Sequence, residues 1–216
     1  MGPFFSLISL IAIPFLAYGS AIVLNQAIAW GCRRTKKELE FPQRLTKRQH
    51  RRRFYIIAVS LLIPYGLAFA AAKTWPAVFI LLLYMAILTA ITIMDFEQQV
   101  IPDEFILALI CTAVLWMICV AQFPLNHLIA GTCAFILFLG ISLITHGGIG
   151  GGDIKLIGAL GLFLGINRII FTVVLGILAG GIVSVILLAT HRKGRKDAIA
   201  YGPYFAIAAM LALFWA

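Results

Sequence analysis

The sequence predicts an all-α, polytopic membrane helix bundle of about eight transmembrane segments, on three observations. Of the 216 residues, 62% are hydrophobic, and the mean hydropathy is +1.05, where soluble domains carry about half apolar residues. Apolar runs of membrane-spanning length recur along the whole chain. The longest polar stretch between them, 32–53, is too short to build a core of its own. Residues 1–216 therefore read as a single integral-membrane domain with a short basic loop at 32–53, and a separate soluble domain is excluded.

The runs fall at 4–31, 54–72, 76–94, 104–121, 127–145, 154–166, 168–190 and 198–216. No basic residue precedes the apolar part of the first. That part is also longer than the roughly 7–15 residues of a signal-peptide core. It is expected to be a retained span. The run 154–166 has thirteen residues and is expected to be a short crossing. Gly158, Gly161 and Gly165, then Gly176 and Gly180 in the next run, suit close helix packing.

Charge orients the spans. Ten of the seventeen Lys and Arg residues lie in Cys32–Phe54 and four in His191–Asp197, and Lys155 sits just after Asp153. If all eight runs cross, these fifteen share one face, which the positive-inside rule makes cytoplasmic. The net charge of +9 thus sits where topology puts it, so anionic lipid headgroups are the expected partner of the basic loops and nucleic acid is not. Cys32, Cys111, Cys119 and Cys133 show no C-x-x-C spacing, and they read as small buried hydrophobes rather than metal ligands or disulfides.

Five of the eight acidic residues gather in two places: Asp95, Glu97, Asp103 and Glu104 in MDFEQQVIPDEF, and Asp153 in GGIGGGDIKL. An ionised carboxylate at the bilayer centre costs about 3 kcal/mol or more. Acids are therefore expected at membrane edges or in polar cavities. Two crossings, 104–121 and 127–145, separate Asp95 from Asp153, so both are expected at the same cytoplasmic edge. Asp103, after Ile101-Pro102, reads as the N-cap of the next helix, and Glu97 as an interfacial acid facing water. Gly147, Gly148, Gly150, Gly151 and Gly152 are poor helix formers. They free the backbone to take positive φ or to pair with an extended peptide; a plain interfacial turn ending in an Asp153 N-cap is the alternative.

Two aspartates held close cannot easily both ionise, so the pair shares a proton. The ionised member can activate water against a peptide carbonyl. The protonated member can polarise that carbonyl and protonate the leaving amine. The histidines are scattered and no H-E-x-x-H or G-x-S-x-G occurs, so zinc-protease and serine-nucleophile chemistry have little support.

Asp95-Phe-Glu-Gln-Gln-Val-Ile-Pro-Asp103 resembles the first motif of type IV prepilin peptidases, and Gly150-Gly151-Gly152-Asp153-Ile154-Lys155 resembles their Gly-x-Gly-Asp motif. Ala200-Tyr201-Gly202-Pro203-Tyr204 is similar to the aromatic-Gly-Pro-aromatic element opening the family's last span. The resemblance implies an aspartic endopeptidase of the bacterial inner membrane, acting at its cytoplasmic face. Its catalytic pair would be Asp95 and Asp153, with Gly150, Gly151 and Gly152 shaping the substrate slot. The implied substrates are type IV prepilin or pseudopilin precursors, which lose a short basic leader. The chain looks like a short form, because it lacks the paired C-x-x-C cytoplasmic domain that binds zinc in many members. No metal or cofactor is therefore expected, with S-adenosylmethionine needed only if a methylating activity is retained. Lys155 would either favour the ionised form of Asp153 or reach lipid phosphate. A presenilin-like protease, a small ion-coupled transporter or proton relay, and a non-catalytic assembly scaffold are the competing readings.

Overall fold

The computed structural model describes residues 3–35, 47–190 and 200–214, with side chains described from 12–30, 51–190 and 200–214. The expected basic loop therefore lies largely outside the described residues, as does the basic stretch after residue 190. Every expected apolar run contains a helix. In chain order they are α1 Pro3–Thr35, α2 Lys47–Ala71, α3 Trp75–Gln98, α4 Asp103–Cys119, α5 Pro124–Ile144, α6 Gly151–Leu164, α7 Ile166–Ala189 and α8 Gly202–Leu211, with a 3-10 turn at Ala212–Phe214. The protein is an all-helical membrane protein. Five segments are long and apolar enough to cross a bilayer: Ala12–Trp30, Arg51–Ala71, Trp75–Gln98, Pro124–Ile144 and Ile166–Ala189.

The chain forms two compact units, Met1–Ala90 and Ile91–Ala216. In the first, α1 packs on α2. The Tyr65 hydroxyl of α2 donates to Ser20 Oγ of α1 at 2.6 Å, which gives a buried phenol the partner it needs.

The second unit is organised around α6, which packs against α4, α5, α7 and α8. From Ile154 to Leu164 nearly every residue of α6 except Lys155 is buried, as expected for a helix apolar on all sides. At 14 residues it is about 21 Å long. Close approach to it depends on missing side chains. A Cβ on Gly161 would stand 2.8 Å from Ala130 O and 2.8 Å from Gly131 Cα of α5, and one on Gly158 would stand 3.1 Å from Phe135 Cβ. Gly176 and Gly180 of α7 serve α8 in the same way, against Phe205 and against Tyr201 and Tyr204. Small residues were expected at these crossings, and the backbones meet there. Around this core the outer faces are apolar, with Ile118, Leu143, Ile144, Ile182 and Val185 all strongly exposed, a surface suited to lipid.

Helix ends follow local chemistry. Gly165 takes φ 77, caps α6 and at once begins α7, a left-handed turn that favours glycine. Gln99 also enters the left-handed region at φ 54, with its N–H on Asp95 O at 2.9 Å, and closes α3. Two expectations change. Asp103 is not an N-cap: Pro102, extended at φ −66 and ψ 142, holds that position. Proline has no N–H to satisfy and a fixed φ, so Asp103 becomes the first helical residue. Cys111, Cys119 and Cys133 are exposed on α4 and α5 rather than buried.

Gly161→Ala should therefore destabilise the second unit by about 1–3 kcal/mol through overpacking against backbone. Gly140→Ala should be neutral or stabilising, since no described atom lies within 4 Å of the added Cβ. Thermal unfolding in detergent distinguishes the two.

Candidate active site

Three helix ends of the second unit meet beside one short segment. The first is the C-terminal turn of α3, which carries Asp95. Its side chain is 4% exposed, although aspartate is almost never fully buried without a partner. The Gly202 N–H approaches the carboxyl. Oδ2 nevertheless makes no full hydrogen bond with any described residue, and it is completely enclosed. A buried polar atom of this kind calls for an explanation.

The second end is the start of α8. Gly202 lies so close to Asp95 that a Cβ there would stand 2.6 Å from Oδ2. Phe96 and Tyr204 pack edge to face beside it, their ring centroids 6.4 Å apart. The third end is the start of α6. Gly150 is its N-cap, and Asp153 is the third helical residue, half-buried. Its Oδ2 leans back over the cap, 3.4 Å from where a Gly150 Cβ would be. Asp153 is therefore not the cap of α6.

Ile101 joins these ends. It is 9% exposed. Its Cδ1 lies 3.0 Å from the Cβ position of Gly202, and its Cβ 3.2 Å from that of Gly152. The charge of Asp95 reaches Asp153. The two aspartates that the sequence placed at a common edge are thus brought into electrostatic range.

Of the three glycines expected to shape a slot, Gly150 and Gly151 are exposed and Gly152 is half-buried under Ile101. Gly151 and Gly152 are helical, and positive φ within the run occurs at Gly147, with φ 89, preceded by His146 at φ 53. Gly148 packs on Thr145, apart from the aspartates. Lys155 takes Asp103, not Asp153, as its ion-pair partner. Its Nζ donates to Asp103 Oδ1 at 2.6 Å, the two side chains being 48% and 73% exposed. Sequence reasoning quoted Ile101 and Gly202 within motifs but gave neither a role at the site. The available signal at Gly202 was a glycine placed before a helix-opening proline, where glycine has no propensity advantage. Three Cys, His, Asp or Glu side chains able to hold a metal ion together do not occur among the described residues.

Comparison with known proteins addresses the same stretch. Residues 82–185 match the Type IV leader peptidase family. The matched segment holds both aspartates, and the resemblance drawn from the two motifs is borne out. The chain is 30% identical over 168 residues to a prepilin leader peptidase/N-methyltransferase of Aeromonas salmonicida, covering 74% of this chain and 53% of the relative. It is 32% identical over 170 residues to the protein of that name in Pseudomonas aeruginosa, covering 74% and 56%. For the Bacillus subtilis protein of that name the figures are 27% over 168 residues, 74% and 64%. The chain spans about half the length of the first of these relatives. No solved structure matches it significantly.

The ion pair between Asp103 and Lys155 is solvent-exposed and should contribute little. A double-mutant cycle of Asp103→Asn and Lys155→Met, read by thermal unfolding, should return a coupling of about 0.2–1 kcal/mol.

Proposed function

We propose that the protein is a membrane aspartic endopeptidase that removes the short basic leader from type IV prepilin or pseudopilin precursors. The observation that carries this reading is the enclosed, unpaired Asp95 Oδ2 within electrostatic range of Asp153, inside a segment matching the leader peptidase family. Two carboxylates so placed hold one proton between them. The ionised member takes a proton from water as that water attacks the scissile carbonyl. The protonated member hydrogen-bonds the carbonyl oxygen, then gives its proton to the leaving amine. Chemistry of this kind needs no covalent intermediate. A site with little water strengthens both hydrogen bonds.

At the start of α6 Gly150 and Gly151 are exposed, with Gly152 half-buried beside them; this backbone suits an extended peptide, and we assign the substrate slot there. The crowding of Lys and Arg at 32–53 and 191–197 supports a cytoplasmic site in a bacterial inner membrane, with anionic headgroups against the basic segments. The relatives named above are peptidases, which favours this reading over an ion-coupled transporter. Their second named activity, N-methyl transfer, stays with those proteins.

Purified protein incubated with a tagged prepilin should yield a shortened product on a gel. Asp95→Asn and Asp153→Asn should each lower the cleavage rate about 10³-fold or more while leaving helix content unchanged. Asp103→Asn, whose carboxylate pairs with Lys155 at the surface, should keep most activity. Leader removal by either of the first two variants at the wild-type rate would overturn the assignment.

A further inference from the structure

Gly202 opens α8 and is buried, yet its backbone does not ask for glycine. The positive-φ glycines among the described residues are Gly147 and Gly165. At an ordinary helical position alanine is the better helix former. What demands glycine is the space taken by Asp95. An added Cβ would lie 2.6 Å from Asp95 Oδ2, 3.2 Å from Asp95 Cγ and 3.0 Å from Ile101 Cδ1. Carbon and oxygen do not approach that closely without bonding, so something must move. Ile101 offers a terminal methyl, which can yield by a few tenths of an ångström. Asp95 offers a short carboxyl on a buried stem, which can yield only by turning.

The same carboxyl faces the N-terminus of a ten-residue helix. Unpaired N–H groups and the helix dipole there suit an anionic group. Even so, Oδ2 is enclosed without a hydrogen-bond partner among the described residues. A carboxylate seated against a helix start, with one oxygen left free of protein donors, is held in place while its hydrogen-bonding capacity stays unmet.

We propose that Gly202 is the positioning residue of Asp95: its bare Cα lets the carboxyl lie against the start of α8 and sets the direction in which it faces. This rests on the reading of Asp95 as one of the catalytic pair. A side chain at 202 rotates the carboxyl out of line without touching the substrate. Misplacement of a reacting group by about 1 Å costs on the order of a hundredfold in rate.

The test uses the full chain in detergent with a tagged prepilin, with kcat, KM and the thermal midpoint measured for wild type, Gly202→Ala and Gly181→Ala. Gly181 lies on α7 with no described atom within 4 Å of its Cβ position, and its variant should behave as wild type. Gly202→Ala should lose about a hundredfold in kcat, with KM within about twofold. A second pair, Asp95→Ala and Asp95→Ala/Gly202→Ala, reads stability alone. With the carboxyl gone the added methyl has room, so the double variant should melt no lower than the single one. Wild-type kcat in Gly202→Ala, or a lower midpoint in the double variant than in Asp95→Ala, would overturn the role given to Gly202. Failure of the wild-type protein to cleave prepilin would instead remove the peptidase reading itself, and the positioning role with it.

Discussion

A carboxylate carried at the end of an apolar helix must be housed by protein, because lipid supplies neither hydrogen bonds nor counter-charge. Asp95 is such a group, and the second unit is arranged around giving it a place. The housing is made of absences. Gly202 leaves space beside the carboxyl, Gly152 leaves space for Ile101, and Gly131, Gly158 and Gly161 let α5 close on α6. In a membrane, where burial of apolar surface does not drive helices together, such close backbone approach is a main source of cohesion. Packing and site geometry therefore draw on one device, glycine at helix crossings.

The site also shows why a 14-residue helix stands at the centre of the unit. α6 is enclosed along nearly all of its length, so it does not have to match a bilayer by itself. Its start can sit where Asp153 needs to be, beside the α3 end, while α5 and α7 present apolar faces outward.

Much of this was legible in the sequence. Eight apolar runs gave eight helices, because hydropathy over some twenty residues averages out local detail. Counting two crossings between Asp95 and Asp153 placed them at one edge, an argument that needs only parity. The small residues of α6 and α7 also pointed correctly to tight crossings. What could not be read depends on single torsions or on contacts between residues distant in sequence. Whether Pro102 or Asp103 caps α4 turns on one ψ angle. The partner of Lys155 is an aspartate on another helix, invisible to any local rule. Gly202 looked like part of a resembling motif; only its distance to Asp95 gives that glycine a physical reason. The glycine run misled in part, since Gly151 and Gly152 are helical and the positive φ belongs to Gly147.

The left-handed residue Gln99 has a consequence for how the chain tolerates change in length. By turning at φ 54 directly after α3, it folds the next residues back so that Ile101 lands between two helix starts. Residues 99–102 thus act as a gauge block: one residue more or fewer would carry the isoleucine past its seat and swing the start of α4 with it. The link at 120–123, with Gln122 and Phe123 exposed, joins α4 to α5 at no such fitted point. Insertions are tolerable at that turn and ruinous at the other, although both are four residues long.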